Sequence, residues 1–78
     1  MKILFLGRLA DVAGARERTI EPPLGLTDID ALRAWLGKDI PALLDASVRV
    51  IVNDVLAHPG QAITATDEVA FFPPVSGG

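Results

Sequence analysis

Ile3-Leu4-Phe5-Leu6, closed by Gly7 and Arg8, is a short run of β-formers and predicts a first strand over Lys2 to Arg8. Leu9 to Arg16 predicts a loop with room for one helical turn, punctuated by Gly14. Thr19 and Ile20 place a second strand over Glu17 to Glu21. Pro22-Pro23 stops it, because proline donates nothing to a ladder. From Thr27 the period changes. Ile29, Leu32 and Leu36 recur at helical spacing with Trp35 beside them, so one helical face is apolar. Thr27 suits the N-cap, Asp28 and Asp30 suit the positive helix start, and Gly37 with Lys38 suits the stop. Ile40 to Ala46 repeats the pattern weakly and predicts a short helical turn, with Pro41 near its start. Strands follow at Val48 to Val52, Val55-Leu56 and Asp67 to Phe72. They are separated by the Asn53-Asp54 turn and the His58-Pro59-Gly60 loop.

The order is β-β-α, a short helical turn, then β-β-β. The first two strands can form a hairpin, the helix can cross one face, and the later strands can join the sheet. This order suits an α+β fold of the ubiquitin-like β-grasp type: a mixed five-stranded sheet with one main helix on one face. The expected organisation is a single domain over residues 1–78, with residues 73–78 as an extended tail.

Strand parity adds a surface. If Ile3, Phe5, Val48, Val50, Val52, Val69 and Phe71 face the helix, then Leu4, Leu6, Ile51 and Phe72 face the other way. A one-sided sheet should be polar there. An apolar outer face predicts docking onto another protein.

Composition narrows the classes. Seventy-eight residues make one domain with a modest core, and with no cysteine there is neither a disulfide framework nor a thiolate zinc site. A reducing, cytoplasmic setting fits that composition. The Ile3–Leu6 run is too short for a signal core or a membrane span. A net charge of -3 and a pI near 4.8 disfavour nucleic acid as a partner. Half the residues are hydrophobic. That fits an aliphatic core and, equally, an exposed partner site.

Enzyme motifs are absent from the sequence. His58 is the only histidine and reads as a solvated loop residue. Ser47 and Ser76 lie in no nucleophile elbow, and Gly7, Gly14 and Gly25 form no phosphate fingerprint. Asp28 with Asp30, and Asp67 with Glu68, read as cap and turn residues. Trp35 reads as core, and no metal ligand set is expected.

The C-terminus is the chemical candidate. Pro73-Pro74 stops the last strand and keeps the chain extended, Val75 and Ser76 add little bulk, and Gly77-Gly78 adds none. Such a tail can thread a narrow channel and present its carboxylate in another protein's site. The plain alternative is a frayed terminus that ends in glycine.

The ending Asp67-Glu68-Val69-Ala70-Phe71-Phe72-Pro73-Pro74-Val75-Ser76-Gly77-Gly78 closely resembles that of molybdopterin synthase small subunits. Ile3–Leu6 with Gly14, and Val52-Asn53, resemble the family's first strand and its valine-asparagine turn. Glu17 to Ser47 matches by pattern alone. Ala10-Asp11 and Thr66-Asp67 depart from the Arg-Glu and Gly-Asp pairs frequent in that family.

The resemblance implies a sulfur carrier. An E1-like enzyme would spend ATP to adenylate Gly78, and a sulfur donor system would convert the adenylate to a thiocarboxylate. The tail would then enter the large synthase subunit, in a heterotetramer, and pass sulfur to cyclic pyranopterin monophosphate. No cofactor would stay bound, and the catalytic side chains would belong to the large subunit. By position Leu6, Leu56 and Phe72 match partner contacts, with Pro73, Pro74, Val75 and Ser76 in the inserted tail. Rival readings are a carrier for thiamine thiazole synthesis, a lysine-conjugating modifier, or a ubiquitin-like interaction domain with an inert tail.

Overall fold

The computed structural model describes residues 1–73. Strand β1 (Lys2–Phe5) leads through a turn into helix α1 (Leu9–Ala13), then β2 (Glu17–Thr19). Helix α2 (Ile29–Gly37) and a 3₁₀ turn (Pro41–Leu44) follow. Strands β3 (Arg49–Val52), β4 (Val55–Leu56) and β5 (Glu68–Phe72) complete the chain. The sheet order is β2-β1-β5-β3-β4. β1 and β5 run parallel at the centre, and the other neighbours pair antiparallel. This is the mixed five-stranded β-grasp that the element order predicts.

Helix α2 and the 3₁₀ turn cover one face. Ile3, Phe5, Val69 and Phe71 from the central strands meet Leu32 and Leu43 in the core, all nearly without exposure. Each such side chain contributes about 1.5–3 kcal/mol by leaving water. The Phe5 and Phe71 rings stack with centroids 6.2 Å apart, cross-strand neighbours in the Phe5↔Phe71 register. All seven residues expected to face the helix are buried.

Several local expectations are corrected. Leu9–Ala13 is a true helix rather than a loop with one turn, ended by Gly14 in the left-handed region at φ 78. β1 stops at Phe5, because Gly7 turns the chain at φ 55. β2 ends at Thr19, β3 begins at Arg49 and β5 at Glu68. Asp28, not Thr27, caps α2: its carboxylate accepts from Ala31 N–H at 2.8 Å. The Thr27 carbonyl instead accepts from Ile63 N–H at 3.0 Å. Gly37 lies inside the helix instead of beyond it. The space of its missing side chain is filled by the Leu44 side chain, which would overlap a Cβ there.

Candidate functional site: the outer sheet face and the root of the tail

Register assembles the outer face. Leu4 pairs with Ala70, Ala70 with Ile51, and Ile51 with Leu56, so four apolar residues cross four strands in one row. Ala70 is only 8% exposed, because Leu4 and Ile51 flank it; Leu56 at the edge is 54% exposed. Towards the tail, Leu6 N–H donates to the Phe71 carbonyl at 2.9 Å, which sets Leu6 beside Phe72. Leu6 is exposed and Phe72 half-buried. At the other end of the face Lys2 pairs with Glu17 at 3.5 Å, and this polar boundary limits the stripe.

The structure therefore brings Leu4, Leu6, Ile51, Leu56 and Phe72 to one surface. Ala70 and its central place were not singled out from the sequence. Period-two counting would have found it, since it stands two residues before Phe72. Of the tail, Pro73 lies at the end of β5, half-buried. Pro74, Val75, Ser76, Gly77 and Gly78 lie outside the described residues.

Two features fix the ends of β5, and neither was read as functional in the sequence. Gly7 holds φ 55, and a Cβ on it would come within 3.2 Å of Pro73 Cγ. Only glycine gives both the left-handed turn and the close approach. At the opposite end of β5, Asn53 Nδ2 donates to Asp67 Oδ1 at 2.9 Å, and Asn53 Oδ1 accepts from Glu68 N–H at 2.9 Å. Asn53 N–H also donates to the Glu68 carbonyl at 2.9 Å. The β3–β4 hairpin is thus clamped to the start of the strand that carries the tail. The Thr64 N–H bond and then the Asn53 amide hold the Asp67 carboxyl below its ordinary pKa of 3.8.

A second carboxylate behaves alike. Asp45 accepts from the Ser47 hydroxyl and backbone N–H, which lower its pKa. Arg33 reaches across from α2, its guanidinium donating to the Leu43 and Asp45 carbonyls, and so fixes the 3₁₀ turn. His58 is exposed, with Nδ1 3.0 Å from the Pro59 carbonyl oxygen. Among the described residues no three His, Asp or Glu side chains gather as a metal site, and no helix is long and apolar enough to cross a membrane. A groove of about 140 Å³ between α1 and the 3₁₀ turn, lined by Leu9, Val12, Val48 and Pro73, opens at the root of the tail.

These features define a class: small β-grasp proteins of the ubiquitin type, with an apolar outer face and a C-terminal strand that leads into a glycine-ended tail. The chain belongs to the ThiS family, whose profile matches residues 3–78. It is 34% identical over 82 aligned positions to the molybdopterin synthase sulfur carrier subunit of Caenorhabditis briggsae, covering 100% of this chain and 96% of that one. It is 40% identical over 80 positions to small archaeal modifier protein 1 of Haloferax volcanii, covering 90% and 91%. The crystal structure of SAMP1 from Haloferax volcanii superposes with a TM-score of 0.80 at 32% identity, covering 100% of this chain and 98% of that chain. The likeness to molybdopterin synthase small subunits, read from the ending, is borne out.

Proposed function

We propose that this chain is the sulfur-carrying small subunit of a molybdopterin synthase. The observation that carries the reading is the ending Asp67 to Gly78, on a full-length match to a sulfur carrier subunit. A carboxylate is a poor electrophile. Attack of the Gly78 carboxylate on ATP would give an acyl-adenylate and release pyrophosphate. A sulfur nucleophile would then displace AMP and leave a thiocarboxylate, a transferable sulfur at the end of a slender tail. Transfer to cyclic pyranopterin monophosphate, followed by hydrolysis of the acyl group, would return Gly78 to its carboxylate. ATP is consumed by an E1-like activating enzyme and does not reside on this chain.

The work of this chain's own residues is docking and aiming. The stripe through Leu4, Ala70, Ile51 and Leu56, continued by Leu6 and Phe72, supports an apolar contact with a large subunit. Gly7 sets the direction in which Pro73 leaves the sheet, and the Asn53 clamp fixes the start of the same strand. The single domain with a tail over residues 73–78, and a cytoplasmic location, belong to the same reading.

Intact mass after co-expression with an activating enzyme and sulfur source tests it. The full chain should gain the mass of one oxygen replaced by sulfur, and a Gly78 deletion should not. No change in either form, beside a carrier that does react, would move the inert-tail reading to the front. The 40% identity to a modifier protein favours a second reading, in which the same activated glycine forms amides with lysines. Gel-shifted conjugates that vanish with Gly78 would identify it. Binding to a thiazole synthase rather than a pterin-synthase large subunit would assign the carrier to the thiamine pathway instead.

A further inference from the structure

The two free edges of the sheet differ. β2 is guarded by charge, with Glu17 and Arg18 in the strand and Arg16 beside it, a usual defence of an edge against added strands. β4 carries Val55 and Leu56, 64% and 54% exposed. The ladder fixes where its backbone points. Ala57 N–H donates to the Val50 carbonyl at 2.9 Å, so Val50 and Ala57 are a bonded pair, and the adjacent Ile51 and Leu56 are the non-bonded kind. The Leu56 N–H and C=O therefore face off the sheet edge.

Beside this edge runs a groove of about 270 Å³, between the first turn of α2 and β3–β4. Its main apolar lining comes from Ile29, Val48, Val50, Leu56 and Ala57. Its charged and titratable lining is Asp30, Arg33, Arg49 and His58. Asp30 Oδ2 accepts from Gly60 N–H at 2.7 Å, and Arg33 is committed to the Leu43 and Asp45 carbonyls. Arg49 is exposed and forms no ion pair among the described residues. The groove is smaller than the roughly 300–1,000 Å³ of small-molecule sites, so it suits a side chain rather than a cofactor.

We propose that the β4 edge and this groove bind an extended acidic segment of a partner protein as an added strand. The segment's backbone pairs with Leu56, one apolar side chain enters between Ile29 and Val50, and a neighbouring carboxylate meets Arg49. Local cation placement selects the acidic partner, although the chain as a whole is anionic. This surface centres on the edge strand; it shares Leu56 with the outer stripe, whose centre at Ala70 lies two strands away.

The test is an amide-resonance titration of the ¹⁵N-labelled full chain with a blocked Val-Glu-Val-Asp-Val peptide, beside its Gln/Asn counterpart. Shifts should centre on Val55 to His58, with slowed hydrogen exchange at the Leu56 amide. Arg49→Glu should weaken binding roughly fivefold, as loss of one exposed pair implies. Arg49→Gln gives the same reading should the reversal disturb the fold. Absence of shifts at millimolar peptide, equal binding of the neutral peptide, or shifts centred on Leu4 and Ala70 would each overturn the proposal.

Discussion

Replacing Asn53 separates what its side chain does from what its backbone does. Asn53 and Asp54 hold φ 49 and 68, as a two-residue hairpin turn requires. Asn53→Ala removes both side-chain bonds to the β5 start. Exposed bonds sit at the low end of the usual range, about 0.5 kcal/mol each. Placing Ala in the left-handed region adds about 1 kcal/mol. The sum is about 2 kcal/mol, against roughly 4–12 kcal/mol for a domain of this length. The melting temperature should fall by about 8–16 °C. Asn53→Gly loses the same bonds without the φ penalty and should cost about half as much. Urea titration followed by Trp35 fluorescence reads both, since Trp35 is the only tryptophan and packs against the core. Both variants within about 0.5 kcal/mol of the parent, the ordinary scatter of surface changes, would refute the clamp.

Other consequences follow from the same geometry. Phe71→Ala should cost about 3–5 kcal/mol by emptying the fully buried stack on Phe5, and its denaturant midpoint would show it. Gly7→Ala should destabilise by about 1 kcal/mol or more, from φ 55 and the approach of Pro73; an unchanged midpoint would count against that role. Phe72→Asp should weaken binding to a pterin-synthase large subunit while the fold persists. Unchanged affinity by calorimetry would remove Phe72 from the interface. Asp45 and Asp67 both have lowered pKa values in the fold. Their contribution is therefore present above the ordinary value of 3.8 and lost as pH falls through the lower folded value. Asp67→Asn should flatten that acid limb, which a pH series of urea midpoints would reveal.

The sequence by itself determined the element order and the sidedness of the sheet. Period-two and helical spacings are local properties of the chain, so Ile3, Phe5, Val50, Val69 and Phe71 could be set against Leu32 and Leu36 by counting. The glycine-ended tail and its family likeness were legible for the same reason, because they lie in one continuous stretch. Boundaries were less legible. Thr27 and Asp28 are both good caps, and the structure uses Asp28, whose flanking Thr27 C=O and Ile29 N–H are held in a bridge to the 61–63 segment that fixes where the helix starts. Gly37 looked like a stop, yet it is the last residue of the helix, and Leu44 of the following 3₁₀ turn occupies the space it leaves. Only the tertiary structure decided how the strands pair. Register across β1, β5, β3 and β4 turns four separated residues into one stripe, places Asn53 against Asp67, and leaves Leu56 at a free edge. Those relations depend on contacts between segments up to 66 positions apart, as in Leu4 and Ala70, and no local pattern encodes such a distance.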